Sequence, residues 1–250
     1  MTEQVGGISS AEGCFLNPKR EHGEPHLSGV GLLCPNPGES LTVGRLAKEA
    51  GWQRFFLYNS QGWRRPDGAA FVAGPAVGAP MAVMALEKLI AMGGQRFVAF
   101  GSCGALSVSL SVGDVVVPTW AVSQEGTSRH YPLPCPPEPA PLLREGLIDS
   151  VRRGGMVAHP GGVWTTDAPY RERRDAIRQF QSQGVVAVDM EFAALITVAA
   201  FRQVALASVM VVSDLLSGDV WQPGFRRKSF AQTMTAVARG LFDDLMRDRF

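Results

Sequence analysis

Cysteine is scarce. Only four occur in 250 residues, at positions 14, 34, 103 and 135. They are too scattered for a CxxC pair or a metal-holding Cys/His cluster, and no HExxH is present. Single thiols in a reducing cytosol fit this pattern better than a disulfide framework, so a cytoplasmic protein is expected. A GxxxxGK[ST] loop is missing, as is a GxGxxG after the first strand, which removes the generic nucleotide cradles. No apolar run approaches the ~18–20 residues that cross a bilayer. Nor is charge of one sign in excess: 24 Lys and Arg face 23 Asp and Glu, for a net charge of +1. Nucleic acid would demand a basic surplus, and none exists. The opening "MTEQVGGISSAEGCFLNPKREHGEPH" is polar and has no apolar signal core. Residues 1–27 are expected to form a poorly ordered tail ahead of one domain, 28–250.

What is present is alternation, in a chain that is 46% hydrophobic and 19% charged. "GVGLLC" (29–34) has the pattern of a strand, and "SLTVGRLAKEAG" (40–51) that of a helix with Ser40 as N-cap and Gly51 closing it. "FFLYN" and "AAFVAG" are strand-like, and "APMAVMALEKLIAMGG" (79–94) is an amphipathic helix. "RFVAFGS" and "GDVVVPTWAV" (113–122) follow as strands, with Pro118 marking an edge or a bulge. The Pro-dense "YPLPCPPEPAPLL" (131–143) is a surface loop. Helices are expected at 139–153, 170–183 and 191–202, strands near 185–189 and 204–212, and a long closing helix at about 226–247. Strands interleaved with helices predict a single α/β domain with a largely parallel sheet.

In such sheets ligands lie beyond the carboxyl ends of the strands, so the polar residues that end apolar runs matter most. They are Asn36 and Glu39, Gly101 and Ser102, Glu125, Thr166 and Asp167, Asp189 and Glu191, and Ser213 and Asp214. Any one alone is most simply a helix cap or a solvated turn; several on one rim suggest a site. "GPAVGAP" (74–80) is either a tight turn or a set of backbone N–H groups aimed at an anion or hydroxyl. Cys103 as a nucleophile would need an adjacent base, and the sequence offers none.

Taken in order, "GPAVGAPMAVMALEKLIAMGG", "FGSCGALSVSLSVGDVVVP", "VDMEFAAL" and "VVSD" resemble the nucleoside phosphorylase / nucleosidase superfamily. That superfamily includes purine nucleoside and uridine phosphorylases and methylthioadenosine/S-adenosylhomocysteine nucleosidases. The resemblance runs from about residue 29 to the C-terminus. It implies a mixed, twisted central sheet flanked by helices in three layers, and cleavage of the N-glycosidic bond of a nucleoside. By resemblance, Met190 packs on the sugar and Glu191 accepts hydrogen bonds from ribose hydroxyls, a role suited to an acceptor-only carboxylate. Asp189 caps or points away. Asp214 matches the acid that binds or protonates N7 of a purine, Arg226 falls where an arginine assists that acid, and Arg227 is the neighbouring alternative. Ser102, Cys103, Gly104 and Ser213 belong to the same substrate-binding set.

The phosphate-holding part of the pattern is where this chain departs. Phosphorylases carry an arginine in an N-terminal "GDPxR"-like turn and another just before the central "GSxG". Here the turn reads "CPNPGES", with Glu39 near the arginine's place, and the strand reads "FVAFGSCG", with Ala99 before the glycine. Losing two guanidiniums removes charge-assisted bonds to the dianion, and a carboxylate adds repulsion. The nucleosidase branch has a glutamate at the equivalent turn, so Glu39 as a base that activates water is expected. The alternative is that it is an exposed first-turn acid beside Ser40. Hydrolysis is therefore favoured over phosphorolysis, unless Arg45, Arg64 or Arg65 supplies an unconventional phosphate site.

The base pocket is expected between "EGTSRHY" (125–131) and "VWTTDAPYRERR" (163–174). Asp167, Pro169 and Tyr170 are the candidates there, with Trp164 nearby and His130 as a polar rim residue. Where relatives stack an aromatic on the base, this chain has Pro169. The resemblance implies no organic cofactor and no metal, with inorganic phosphate as the alternative co-substrate. It implies a homo-oligomer, dimer or trimer of dimers, acting on a small-molecule nucleoside without nucleic acid or membrane. A catalytically degraded nucleoside-binding protein is the reading from another class.

Overall fold

The computed structural model describes residues 14–250; the expected tail over residues 1–13 lies outside them. Ten strands form a mixed sheet in the order β10-β9-β6-β7-β8-β5-β1-β4-β3-β2. One half is open: β1 (Val30–Leu33) runs parallel to β4 (Ala70–Gly74), and β3 (Ser60–Arg64) and β2 (Gln53–Leu57) extend it antiparallel. The other half closes on itself. β5 (Arg96–Ala105) pairs parallel with β9 (Ala205–Leu215), and β9 pairs antiparallel with β6 (Val115–Gln124). From β6 the ladder passes to β7 (Ala158–Thr166) and β8 (Val185–Asp189), and β8 returns antiparallel to Gly104 and Ala105 of β5. This closure brings the last residues of β7 and β8 beside the carboxyl end of β5.

Helices cover both faces, as the alternation predicts. On one side α2 (Ala79–Ala91) and α5 (Phe192–Phe201) bury Leu86, Leu89, Leu195 and Ile196 against the sheet. Helix α5 is buried along Phe192–Ala199, which is why its sequence is apolar all round. On the other side α1 (Pro37–Glu49), α3 (Pro141–Arg153) and α6 (Lys228–Met246) contribute Val43, Leu147, Val237 and Leu241. A smaller cluster of Trp164, Ile177 and Phe180 lies under α4 (Arg174–Ser182). No helix among the described residues is long and apolar enough to cross a membrane.

Several expectations shift. Helix α1 starts three residues early, with Asn36 at the N-cap and Pro37 at the first helical position, where its fixed φ suits a helix start. Ser40 is inside the first turn, its N–H bonded to Asn36 O, and is not the cap. Pro118 does mark a register shift between β6 and β7, but β6 lies between two strands, not at an edge. The expected 170–183 helix begins only at Arg174, after a 3-10 turn over Pro169–Arg171. Residues 19–27, read as part of a loose tail, lie against α2. Lys88 Nζ donates to Lys19 O and to Glu24 Oε2, both at 2.7 Å, and Leu27 is fully buried.

Candidate active site

Three groups of polar side chains gather along the last residues of β5. The first contains the two acids of "VDMEFAAL". Asp189 ends β8, and its Oδ2 accepts the N–H groups of Glu191 at 3.0 Å and Phe192 at 2.7 Å. Its Oδ1 takes the Thr165 hydroxyl at 2.5 Å, and Thr165 Oγ1 in turn accepts the Ala193 N–H. Asp189 therefore caps the start of α5, where an acid is favoured by unpaired N–H groups and the helix dipole.

With the cap supplied by Asp189, Glu191 is left for another task. It is only 7% exposed, and Oε1 accepts the Gly78 N–H at 2.6 Å. Gly78 has φ +82 at the start of α2, a backbone state that glycine adopts without strain. Burial pushes the Glu191 carboxyl up, and the charges of Asp189 and Glu39 push it the same way. Met190 between the two acids is half-buried.

The second group joins β1 to β5. Glu39, in the first turn of α1, is 7% exposed, not solvated. Asn36 Nδ2 stands 3.1 Å from Glu39 Oε1 and 3.1 Å from Ser102 Oγ, so one amide holds a carboxylate and a hydroxyl. Burial raises the Glu39 carboxyl, and the Asn36 bond opposes this. The arginines considered for phosphate are engaged or placed elsewhere. Arg65 binds Asp67 and Asp248, Arg64 binds Gln53, and Arg45 lines a separate cavity. Among the described residues no Lys or Arg is bonded to Glu39, Ser102 or Glu191.

The third group is at the end of β9. Ser213 Oγ lies 2.6 Å from Asp214 Oδ1 and 3.1 Å from Cys103 O. The indole N–H of Trp221 donates to Asp214 Oδ2 at 2.7 Å. The expected Arg226 is exposed and has no bond to Asp214 among the described residues; Arg227 precedes α6 and is also exposed. Gly104 pairs with Asp214 in the ladder, and a side chain there would meet Leu216 and crowd the Asp214 carboxylate. Glu172 closes the 3-10 turn, within electrostatic reach of the same acid. Its carboxyl is pushed up to about 7 by burial and then by the Asp214 charge.

Ser102 and Gly104 thus mark two ends of one stretch of strand, separated by about 7 Å of rise. Cys103 lies between them with its thiol buried and pushed far up, first by burial, then by Asp189 and Asp214; a nucleophilic thiolate is not what this environment makes. Asp167 Oδ2 accepts the Gly126 N–H at 2.8 Å, tying the two loops beyond β6 and β7 together. Pro169 and Tyr170 are exposed, Tyr170 fully. Trp164 is buried against Phe180, and His130 is exposed. The aromatic that does reach the site, Trp221, was not singled out in the sequence. Its only signal is a lone aromatic in the polar "SGDVWQ" turn.

A cavity of about 770 Å³ lies elsewhere, between α1 and the β2–β3 hairpin, lined by Leu41, Arg45, Lys48, Arg54 and Trp63 among others. It includes none of Glu39, Glu191 and Asp214. Among the described residues no group of three His, Cys, Asp or Glu is arranged to hold a metal.

A closing sheet with polar groups on its strand ends matches a known class. The chain belongs to the Phosphorylase superfamily, which it matches over residues 32–243. It is 28% identical over 152 residues to a guanosine phosphorylase of Halorubrum lacusprofundi, covering 59% of this chain and 62% of that protein, just under two thirds of its length. It is 30% identical over 176 residues to a DeoD-type purine nucleoside phosphorylase of Jannaschia sp., covering 67% and 73%. The fold is that of a purine nucleoside phosphorylase from Toxoplasma gondii solved with immucillin-H. The two agree with a TM-score of 0.77 over 90% of this chain and 92% of that one, at 19% identity.

Proposed function

We propose that this protein cleaves the N-glycosidic bond of purine-type nucleosides with water as the nucleophile. The observation that carries the reading is the Asn36 amide, 3.1 Å from both Glu39 and Ser102, beside the Glu191 carboxylate and with no guanidinium bonded to the group. Glu191 Oε1 is held by Gly78, which leaves Oε2 to accept ribose hydroxyls. As the bond lengthens, the sugar gains oxocarbenium character, and fixed carboxylates stabilise that charge. Glu39 takes a proton from the water that attacks the anomeric carbon, while Asn36 and Ser102 hold the carboxylate and the water in line. Raising Glu39 by burial strengthens it as a base, provided it stays ionised at the working pH. Asp214 carries the proton that the departing base takes at N7. The reaction as written needs neither metal nor organic cofactor.

Phosphorolysis is the second reading, favoured by the phosphorylases this chain is similar to. A phosphate dianion would have to approach the Glu39 carboxylate without a bonded cation, and repulsion in a partly buried site works against that. The deciding experiment measures free base released from adenosine, inosine and guanosine with and without phosphate. Release at the same rate in phosphate-free buffer is expected; release that begins only when phosphate is added overturns the hydrolytic reading.

A further inference from the structure

The cavity between α1 and the β2–β3 hairpin carries charge that no acid around it balances. The hairpin forms one edge of the sheet, opposite the edge that ends in β10 (Gln222–Pro223). Leu41, Gly44, Arg45 and Lys48 line the cavity from α1, at the i, i+3, i+4 and i+7 spacing that places them on one helix face. Arg54 stands directly opposite Trp63 in the β2–β3 ladder, so both side chains leave the same face of the hairpin, and both reach the cavity. Gly44 makes room for the indole: a Cβ there would lie 3.3 Å from Trp63 Nε1. Among the described residues Arg45, Lys48 and Arg54 form no hydrogen bond or ion pair. Arg64 and Arg65 beside them, by contrast, are bonded to Gln53, Asp67 and Asp248. No described Asp or Glu lines the cavity. Three like charges thus face a hollow of about 770 Å³, inside the ~300–1,000 Å³ range of small-molecule sites. They repel one another, and an anion among them turns that repulsion into attraction.

We propose that this cavity is a binding site, separate from the catalytic one, for a small phosphomonoester that carries a planar ring. The two guanidiniums present forked N–H donors matched to phosphate oxygens, and the Lys48 ammonium adds a third cation. A single carboxylate offsets one of these charges, whereas a phosphomonoester carries about −1.5 to −2 at neutral pH. The rest of the lining selects the body of the ligand. Leu41, Val72, Ala73 and the half-buried Trp63 offer apolar surface. A sugar phosphate gains little from that surface, while a ring buries its faces there and stacks on the indole. The cavity is not the phosphate site that phosphorolysis would need. Pro37 and Ser40 line it, but Glu39 between them is held by Asn36 and takes no part in it. Occupancy of the cavity does not depend on whether water or phosphate attacks the sugar.

Isothermal titration calorimetry of the full chain with phenyl phosphate, inorganic phosphate and phenol tests this. Phenyl phosphate has the ring and the monoester but neither sugar nor base for the nucleoside site. It should bind about tenfold or more tighter than inorganic phosphate or phenol, because only it uses both halves of the cavity. In the double variant Arg45→Gln/Arg54→Gln its affinity should fall about 10–100-fold. Both arginines are exposed, so the variant keeps the fold, and an unchanged melting curve checks that. Trp63→Leu should bring phenyl phosphate down toward inorganic phosphate while leaving inorganic phosphate as it was. No binding of phenyl phosphate by the parent overturns the site, and so does binding that the arginine variant retains in full. A preference for phenyl phosphate that survives Trp63→Leu overturns the ring contact. If the parent binds no phenyl phosphate and the arginine variant instead loses an oligomer in sedimentation, the cavity belongs to a neighbouring copy of the chain, and the ligand site is again overturned.

Discussion

The Gly78 amide donates to Glu191 Oε1 at 2.6 Å, joining the start of α2 to the start of α5. It leaves Glu191 one oxygen for a ligand and sets which way that oxygen points. Glu191→Gln keeps the shape and replaces the free acceptor oxygen with an amide donor. A ribose hydroxyl left without its acceptor costs ~1–3 kcal/mol, so kcat/KM should fall about 10–100-fold. Steady-state kinetics check this, and an unchanged kcat/KM would remove Glu191 from the sugar site.

Asn36 acts through its neighbours. Asn36→Ala should lower kcat about tenfold or more with little change in KM, because it disorders Glu39 and Ser102 without touching the sugar grip. Adding Glu39→Gln should then lower activity little further, since residues of one network are not additive. A double-mutant cycle in which the two effects simply add would separate them.

For Asp214→Asn, a neutral side chain of equal size, nucleoside binding should be nearly preserved. Turnover should drop about 10²–10⁴-fold, the range expected for a positioned general acid. Single-turnover base release together with binding by calorimetry distinguishes the two quantities. Parent-like turnover would mean that the leaving base draws its proton from elsewhere.

Asp189 is a stability residue. Asp189→Ala strands the N–H groups of Glu191 and Phe192 and the Thr165 hydroxyl, all of which it accepts. A loss of about 2–4 kcal/mol in urea denaturation is expected. Asp189→Asn retains one acceptor oxygen and should lose less. If the two variants unfold together with the parent, the cap is not what secures α5.

Glu172 gives a pH signature. Its carboxyl lies at about 7 in the folded chain against an ordinary 4.5. Below pH 4.5 both states hold the proton. Between 4.5 and 7 the unfolded chain has lost it and the folded chain keeps it, so stability falls as pH rises through that window and levels off above it. Partial exposure reduces the full effect to roughly 1–2 kcal/mol. Melting temperatures of Glu172→Gln and the parent should diverge from pH 5 to 8 in favour of the variant. Glu39, Asp189 and Glu191 are common to both and cancel. A difference that does not change with pH would count against this placement.

Much of the site was legible as polar residues stopping apolar runs: Glu39, Ser102, Asp189, Glu191 and Asp214 all stood out that way. The division of labour between Asp189 and Glu191 came from the family resemblance and not from local pattern, because a helix-start acid looks the same whether it binds backbone N–H groups or faces a ligand. Asn36 was visible only as one such run-ending residue. Its bridge spans 66 positions to Ser102, beyond any local pattern. Trp221 and β7 were missed for related reasons. An aromatic in a polar turn has no period, and "AHPGGVWTT" has no clean alternation of its own; β6 and β8 supply its ladder.

The sequence by itself determined that strands and helices alternate, which helix faces are apolar, and where carboxylates interrupt buried runs. These follow from periodicity and from the cost of burying charge, both local properties of the chain. Only the tertiary structure decided that β8 returns to β5 and closes half the sheet, that the Gly78 amide meets Glu191, and that an indole meets Asp214. Each of these depends on which residues distant in the chain become neighbours, and hydrogen-bond partners across such separations are chosen by packing, not by sequence spacing.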